Sequence, residues 1–374
     1  MQTIFYRGIH NFVDLGTVYI MRIVIVTDAW EPQINGVVTT LSHVAKTLEK
    51  EHDVLVVEPG LFKSIPLWPY YPEIKVAYDV LKVGRVMKDF KPDSIHIATE
   101  GPLGVVARNF CLRKKWSFTT SFHTKFPEYI RKRVPIPLNF SYEWFRRFHS
   151  AADTTLVTTE SIKKELMARK FKNLITWTRG IDRKIFHPGQ LIEDYFPKSD
   201  KKIKNLLFVG RVAEEKNIRS FCELSRLKQY QCWVVGDGPQ RQELEEEYAG
   251  KVHFLGYKYG EVLAQHYAGA DVCVFPSKTD TFGITIIESM ACGTPVAGFP
   301  VPGPKDLVIE GVSGSVDEDL KVAVKNCLEI PRERVPDYTI YYTWEKCALI
   351  FEEHLVPLNS GKNVDKEILT LDDE

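Results

Sequence analysis

The chain alternates short apolar runs with stretches in which apolar residues recur every three or four positions. The apolar runs predict buried strands, and the periodic stretches predict amphipathic helices. The first group joins a strand over 22–27, a helix over 37–48 and a strand over 53–57. Alternation of strands and helices is typical of parallel sheets whose faces are covered by helices. The pattern therefore predicts an α/β protein.

The alternation continues through both halves of the chain. In the first half it predicts helices near 79–90, 103–114 and 140–151, and strands near 94–98, 117–122, 154–158 and 174–178. After a Lys-rich break it predicts strands near 205–210, 231–235 and 252–255, and helices near 217–228, 239–248 and 260–268. Two doubly wound, Rossmann-like domains follow from this arrangement, and 374 residues suffice for both.

We place the domain boundary near 185–204, where the Lys-rich break at 198–204 lies. The expected domains cover 21–190 and 200–343. Residues 1–20 precede a second Met that opens a strand, and we assign them no role. Residues 358–374 are polar and acidic, so we expect a disordered tail.

Seven cysteines are scattered singly, without any Cys-x-x-Cys pair. A disulfide framework or zinc site is therefore not expected, and the composition suits a reducing, cytosolic setting. No apolar run approaches the roughly 20 residues that a membrane helix needs, and the first 20 residues lack the pattern of a signal peptide.

The stretch 271–298 carries the most informative chemistry. It reads as a short buried strand, a loop and a helix that begins at Gly283. A helix N-terminus presents unpaired N–H groups and a partial positive charge, which suit a phosphate, and a glycine lets the ligand approach the backbone. Asp280 precedes this helix and Glu288 lies inside it, where a carboxylate can accept hydrogen bonds from a sugar diol. A solvated Asp beside an ordinary helical Glu is the alternative.

Further candidate residues follow other predicted strands. Arg211 and Lys216 come after the strand near 205–210, where two cations could neutralise a diphosphate; a solvated turn with local ion pairs is the alternative. Gly36 follows the first strand, and His123 follows the strand near 117–122. A plain turn and a hydrogen-bonded structural histidine are the simpler interpretations of these two residues.

Taken in order, these motifs resemble the retaining glycosyltransferases of family 4 (group 1), which are two-domain GT-B enzymes. The family pattern Glu-x7-Glu reads here as Asp280, Phe282-Gly283 and Glu288, followed by Ser-Met-Ala-Cys-Gly-Thr-Pro-Val. The segment 210–216 resembles the family's Gly-Arg-x4-Lys, and 122–129 resembles the Phe-His-Thr motif of lipid-directed members. Asp280 replaces the family's Glu and is one methylene shorter. This difference affects which sugar hydroxyl the carboxylate binds.

The resemblance implies where the ligands bind and which residues act. The donor would lie in a cleft between two facing domains, and a terminal helix at 344–357 would cross back to the N-terminal, acceptor-binding domain. The implied catalytic residues are His123, Arg211, Lys216 and Asp280. The implied donor-binding residues are Gly36, Gly236, Gly238, Phe282, Gly283, Ile284 and Glu288.

In such enzymes the sugar can be transferred by front-face displacement, in which the leaving phosphate oxygen helps to remove the acceptor's proton. The enzyme then orients both substrates and stabilises charge on the diphosphate. Because cations and a helix start can do this work, we expect neither a metal nor another cofactor. The sequence Asp317-Glu318-Asp319 imitates a metal motif but is better explained as a helix cap.

Charge is distributed unevenly. Residues 21–190 carry 27 Lys and Arg against 17 Asp and Glu, whereas 191–374 carry 21 against 31. This asymmetry argues against a protein that binds a polyanion over its whole surface and for one basic half that faces an anionic partner, and we expect no nucleic-acid partner. Six cations lie among aromatic residues between Lys125 and Ser150. A membrane contact and an ordinary core stripe of Phe140, Trp144 and Phe148 explain this segment about equally well.

The expected activity is transfer of a hexose from a nucleotide-diphosphate sugar, GDP-mannose or a UDP-hexose, to a hydroxyl acceptor such as a membrane glycerolipid. The resemblance favours lipid-directed mannosyl- and glycosyltransferases, including sulfoquinovosyl-diacylglycerol synthases. A cytoplasmic protein at the inner face of the membrane fits this activity. A transferase with a sugar or small-molecule acceptor, a non-catalytic nucleotide-sugar-binding protein and a sugar-nucleotide epimerase are the alternatives.

Overall fold

The computed structural model describes residues 20–67, 71–192, 195–197 and 202–359. The extension before Ile20, most of the Lys-rich break and most of the acidic tail lie outside these ranges. The chain divides into two compact units. One comprises Met1–Thr178 and Trp344–Glu374, and the other is the uninterrupted stretch Arg179–Thr343.

The first unit is built on a parallel sheet of six strands in the order β2-β1-β5-β6-β7-β8. Its strands and those of an antiparallel hairpin, β3-β4, are Arg22–Val26 (β1), Asp53–Val57 (β2), Ser64–Leu67 (β3), Tyr71–Ala77 (β4), Ser94–Ile97 (β5), Thr119–Phe122 (β6), Thr154–Val157 (β7) and Leu174–Thr176 (β8). The strand order reverses beside β1, as in doubly wound folds. The hairpin was not predicted, because its short strands contain prolines and the sequence between them has no glycine.

Helices cover the sheet of the first unit. They are Gly36–Leu48 (α1), Val83–Phe90 (α2), Pro102–Lys114 (α3), Phe126–Arg133 (α4), Leu138–Ser150 (α5) and Glu160–Ala168 (α6), with 3-10 turns at Pro59–Leu61 and Val80–Lys82. The sheet is apolar on both faces because helices shield it from water: Val24, Ile25 and Ile97 are fully buried.

The second unit repeats the architecture with a six-stranded parallel sheet in the order β11-β10-β9-β12-β13-β14. Its strands are Lys204–Val209 (β9), Tyr230–Val235 (β10), Val252–Phe254 (β11), Val272–Phe275 (β12), Val296–Gly298 (β13) and Gly314–Val316 (β14). Its helices are Ile218–Cys222 (α7), Arg241–Glu247 (α8), Gly260–Gly269 (α9), Ile284–Ala291 (α10), Pro304–Leu307 (α11) and Leu320–Cys327 (α12), with 3-10 turns at Pro188–Gln190, Glu214–Lys216, Glu223–Arg226 and Arg332–Thr339.

Two local differences from the predicted elements have visible causes. The helix expected over 217–228 is a short α7 followed by a 3-10 turn, and there the Ser225 hydroxyl donates a hydrogen bond to the Cys222 carbonyl. Residues 179–190, which the sequence assigned to the first domain, lie in the second unit. Ile181 and Phe186 are buried in that unit's core.

The last helix, Trp344–Glu353 (α13), belongs to the first unit. The Trp344 ring stacks on His43 of α1 with the ring centres 4.1 Å apart. The buried Phe351 ring meets the edge of His96 on β5 at 4.6 Å, and the indole N–H of Trp177 donates to the Cys347 carbonyl at 2.9 Å. The apolar face of this helix therefore completes the core of the unit that begins the chain.

Candidate functional site

Three loops meet at one edge of the second unit's sheet. They follow β9, β10 and β12, which are parallel neighbours in the order β10-β9-β12. The carboxyl ends of parallel strands share an edge, so the loops at 210–216, 236–240 and 276–283 start beside one another. Ligands of doubly wound sheets bind at this edge.

Two glycines allow the β9 and β10 loops to pack together. A Cβ atom on Gly236 would lie 1.9 Å from the Gly210 carbonyl oxygen, and one on Gly238 would lie 2.5 Å from the Val212 carbonyl oxygen. Gly236 also has φ +134°, which side chains rarely adopt. Both glycines are thus required by backbone packing, and a donor-binding role for them stays a prediction.

Lys216 and Asp280 form an ion pair at this edge. The Lys216 ammonium donates to Asp280 Oδ1 at 2.6 Å, and both side chains are largely shielded from solvent. The other oxygen of Asp280, Oδ2, is buried and has no hydrogen-bond partner among the described residues. A buried carboxylate oxygen without a donor is costly, so a hydrogen bond from a ligand hydroxyl would stabilise this atom.

Hydrogen bonds from side chains to backbone carbonyls join the two loops that carry this pair. The Asn217 side-chain amide donates to the Pro276 carbonyl at 3.0 Å, and the Thr279 hydroxyl donates to the Glu215 carbonyl at 3.2 Å. Arg211 is half-buried in the same β9 loop, directly before the buried Val212. The sheet edge therefore holds two cations and one carboxylate on short, cross-linked loops.

The start of α10 follows the β12 loop. Gly283 has φ +96°, and a Cβ atom there would lie 2.8 Å from Ile286 Cδ1 and 3.0 Å from Phe275 Cζ. No side chain of the described residues caps this helix start. Phe282 is buried before it, and Ile284 is half-buried as the first helical residue. The N–H groups of the first turn are thus presented beside a residue with no side chain.

Glu288 lies one turn further along α10. The phenol of Tyr267 on α9 donates to Glu288 Oε2 at 2.9 Å. Protein packed around the carboxyl group raises the pKa of Glu288 to about 7, and the Tyr267 hydrogen bond opposes this shift. Burial and the neighbouring Glu288 raise the pKa of Tyr267 well above its ordinary value. The tyrosine therefore remains a donor.

The first unit carries the other two predicted residues. Gly36 is exposed at the start of α1, where the Asn35 side chain accepts from the N–H groups of Val37 and Val38 at 3.0 Å. His123 is buried directly after β6, and its Nε2 atom lies 2.8 Å from the Ser121 hydroxyl. Ser121 also meets His96, a residue whose pKa burial lowers to about 3.

The structure thus brings together Arg211, Lys216, Asp280, Gly283 and Glu288 in one unit, with Gly36 and His123 in the other. The roles of all these residues stay predictions.

Two buried carboxylates of the first unit were not singled out from the sequence. Asp28 follows β1 and accepts from the N–H of Leu103 at 2.9 Å at the start of α3; burial raises its pKa. Glu100 lies 3.0 Å from His149, and both side chains are buried. Asp28 could have been found by its position after an apolar strand, whereas Glu100 and His149 belong to no sequence pattern.

The acidic stretch at 317–319 acts locally. The Asp319 side chain accepts from the Lys321 N–H at 2.9 Å and caps α12. Among the described residues no group of three or more His, Cys, Asp or Glu side chains is placed to hold a metal ion.

Comparison with known proteins identifies the chain. Residues 34–184 match the family described as Glycosyltransferase Family 4, and residues 203–330 match Glycosyl transferases group 1. The chain is 31% identical over 316 residues to a GDP-mannose-dependent alpha-mannosyltransferase from Corynebacterium glutamicum, covering 79% of this chain and 76% of the relative. The chain belongs to glycosyltransferase family 4. This family 4 enzyme is also 26% identical to an alpha-monoglucosyldiacylglycerol synthase from Streptococcus pneumoniae over 92% of this chain and 84% of the relative.

Solved structures agree on the fold of the family 4 enzyme. A sucrose-phosphate synthase from Thermosynechococcus elongatus matches with a TM-score of 0.67 at 21% identity, covering 89% of this chain and 98% of that structure. The predicted GT-B fold is thereby confirmed. Among the described residues, no helix of the family 4 enzyme is both long and apolar enough to cross a membrane.

Proposed function

We propose that this glycosyltransferase moves a hexose from GDP-mannose or a UDP-hexose to a hydroxyl group of a membrane glycerolipid, with retention of anomeric configuration and without a metal. The observation that carries the donor assignment is the Lys216–Asp280 pair, which lies on loops that share a sheet edge with Arg211 and precede the helix start at Gly283. Cations, a helix N-terminus and a carboxylate suit a sugar joined to a diphosphate.

Each side chain has a distinct proposed task. Arg211 and Lys216 bind the diphosphate and stabilise the charge that develops on it as the glycosidic bond breaks. The N–H groups after Gly283 bind phosphate oxygens, and Glu288 accepts hydrogen bonds from the ribose. Asp280 holds a hydroxyl of the hexose through its free Oδ2. We assign Gly236 and Gly238 to the nucleotide side of the donor.

The first unit supplies the remaining tasks. Gly36 presents its own backbone N–H to a phosphate, because the N–H groups of Val37 and Val38 already donate to Asn35. His123 hydrogen-bonds the hexose near the reacting carbon, and the Ser121 hydroxyl, 2.8 Å from its Nε2 atom, helps to orient the ring. The leaving phosphate oxygen accepts the proton of the acceptor hydroxyl, so no protein side chain acts as the base.

The lipid acceptor is supported by the name of the Streptococcus pneumoniae relative and by the surface of the first unit. On α4, α5 and the turn between them, Phe126, Val134 and Phe140 are exposed, and Phe140 is 66% accessible. Arg131, Pro135 and Asn139 belong to a set that lines an open groove of about 570 Å³. Exposed apolar side chains beside cations suit the interface of an anionic bilayer.

A donor and acceptor panel tests the proposal. Thermal shift with GDP-mannose and UDP-glucose should reveal one stabilising donor, and the purified protein should then label extracted glycerolipids with EDTA present. The product's anomeric configuration, determined by NMR, should match that of the donor. Labelling of free sugars alone would support a different acceptor, and donor binding without any transfer would support a non-catalytic binding protein. Loss of transfer in EDTA, restored by Mg²⁺ or Mn²⁺, would contradict the metal-free mechanism.

A further inference from the structure

The contact between α9 and α10 adds a residue to the site that no sequence motif marks. Tyr267 is fully buried near the end of α9, and its phenol reaches Glu288 Oε2 at 2.9 Å. Among the described residues, Tyr267 is the only one that donates a hydrogen bond to the Glu288 carboxylate. The tyrosine therefore fixes one oxygen and leaves Oε1 to accept from a ligand.

Tyr267 itself is held from several directions. Its backbone carbonyl accepts from the Thr294 hydroxyl at 2.6 Å. The Arg332 guanidinium donates to the Ala268 carbonyl and to Thr294 Oγ1, each at 2.6 Å. The phenol ring also meets the edge of Phe186 at 6.1 Å. The last turn of α9 is thus fastened to the chain that follows α10.

We infer that Tyr267 is a positioning residue that holds the Glu288 carboxylate, through Oε2, in the orientation that accepts a diol of the bound nucleotide sugar. This inference rests on the proposed donor-binding role of Glu288. A partly buried carboxylate without a fixed partner could rotate away or take up a proton, and either change would remove an acceptor from the donor site.

The other titratable groups around Glu288 do not replace the tyrosine. Cys273 on β12 and Cys292 after α10 face the carboxylate, and burial raises the pKa of each thiol, that of Cys273 to about 12. Both remain neutral at physiological pH. Arg332, on the 3-10 turn packed against α10, lies near Cys292 and uses its donors on backbone carbonyls and Thr294.

The test is the pH dependence of donor binding by the full-length protein with the Tyr267→Phe substitution. Calorimetric titration with GDP-mannose, and with UDP-glucose as a second probe, should show binding that weakens as the pH falls through the Glu288 transition. Removing the phenol hydroxyl removes a bond that favours the ionised carboxylate, so the transition should move to higher pH. At pH 7 the dissociation constant should rise about tenfold or more, the effect of one hydrogen bond to a charged group.

Tyr248→Phe is the matched control. Tyr248 is also buried and lies directly after α8, outside the three loops of the donor site, and its phenol also donates to a glutamate, Glu223. The Tyr248→Phe substitution should lower the melting temperature without changing the pH at which donor binding weakens. Thr294→Val, which releases the Tyr267 carbonyl, should move the transition in the same direction by less, and Thr294→Ser should match the natural protein.

The outcomes distinguish the positioning role of Tyr267 from the donor-binding role of Glu288. If the natural protein and Tyr248→Phe bind the donor and Tyr267→Phe binds it with the same pH transition, the positioning role is overturned while the proposed function stands. If Glu288→Gln binds the donor as tightly as the natural protein, the role of Glu288 is wrong. If Tyr267→Phe does not fold, the Thr294 pair decides: an unmoved transition in Thr294→Val overturns the inference.

Discussion

At the scale of single residues, charge is concentrated where the proposed leaving group forms. Lys216 is oriented by Asp280, and Arg211 lies on the same loop. Oriented cations stabilise a developing diphosphate more than free ones because the protein has already fixed their geometry before the reaction. The pair therefore keeps Lys216 in place when the donor is absent.

Replacing Arg211 should therefore damage catalysis. We expect Arg211→Ala to lower kcat/KM about 30-fold or more, which corresponds to a loss of about 2 kcal/mol of transition-state stabilisation. Arg219→Ala is the matched control, because Arg219 lies in the same unit but pairs with Glu243 and Glu247 at an exposed site. Steady-state kinetics of both variants would check this, and equal losses would contradict the role of Arg211.

The Lys216–Asp280 pair should behave as a coupled unit. We expect Lys216→Met and Asp280→Asn each to lower kcat/KM about tenfold or more, and the double variant to lose less than the product of the two effects, since both act on one group of atoms. Lys204→Met is the control, because Lys204 forms a comparable pair with Asp271 at the amino-terminal end of β9. A double-mutant cycle measures the coupling, and purely multiplicative losses would argue against it.

The buried Glu288 carboxyl should lower the free energy of unfolding by an amount that depends on pH. Burial raises its pKa in the folded state to about 7, above the ordinary value of 4.5, so the folded protein favours the protonated form. Stability associated with this carboxyl is highest at low pH and is lost as the pH rises through the folded-state pKa. Glu288→Gln should thus raise the free energy of unfolding by about 3 kcal/mol at pH 8 and by less than about 1 kcal/mol at pH 5. Urea unfolding at both pH values measures this, and equal effects would contradict it.

At the scale of elements, the loops after β9 and β10 depend on glycine. Gly236→Ala would place a methyl group against the Gly210 carbonyl at a residue with positive φ. We therefore expect it to lower the free energy of unfolding by about 3 kcal/mol or more. Gly250→Ala is the control: its φ is also positive, but nothing lies within 4 Å of its added methyl group. Gly250→Ala should lower the free energy of unfolding by about 1 kcal/mol. Thermal unfolding compares the two, and similar losses would show that the close approach is unimportant.

The α4–α5 segment shows why the sequence left two interpretations open. Phe140, Trp144 and Phe148 share a helical stripe, yet Phe148 is fully buried, Trp144 stacks on it at 5.9 Å, and Phe140 is exposed. The spacing places the three residues on one face, but only the tertiary structure determines how far the core extends along that face. The stripe is therefore core at one end and surface at the other.

Phe140 consequently provides a test of membrane contact. Phe140→Asp should reduce co-sedimentation with vesicles of phosphatidylcholine and phosphatidylglycerol at low salt by several-fold, because it replaces an exposed apolar ring with a charge that the anionic surface repels. Met167→Asp is the control, since Met167 is similarly exposed on α6. Unchanged binding of Phe140→Asp would show that another surface meets the bilayer.

At the scale of the whole molecule, hydrophobic periodicity was sufficient to predict two doubly wound sheets. β2 and the start of α10 lie within one residue of their expected positions, because a buried strand or an amphipathic helix leaves a repeating pattern. Tyr267 and the Glu100–His149 pair could not be predicted. Their partners lie 21 and 49 residues away, and a hydrogen bond between distant residues leaves no local pattern.

The first unit is formed by two separate segments of the chain, the second of which contains α13. The second unit is formed by one continuous segment. A fragment of residues 179–343 contains every strand and helix of its own unit. A fragment that stops at residue 178 lacks Trp344, Phe351 and Cys347, which contact His43, His96 and Trp177 respectively. We therefore expect the unit proposed to bind the donor to fold when residues 179–343 are expressed alone. We expect the other unit to fold alone only when a linker or a second peptide supplies its final ten-residue helix.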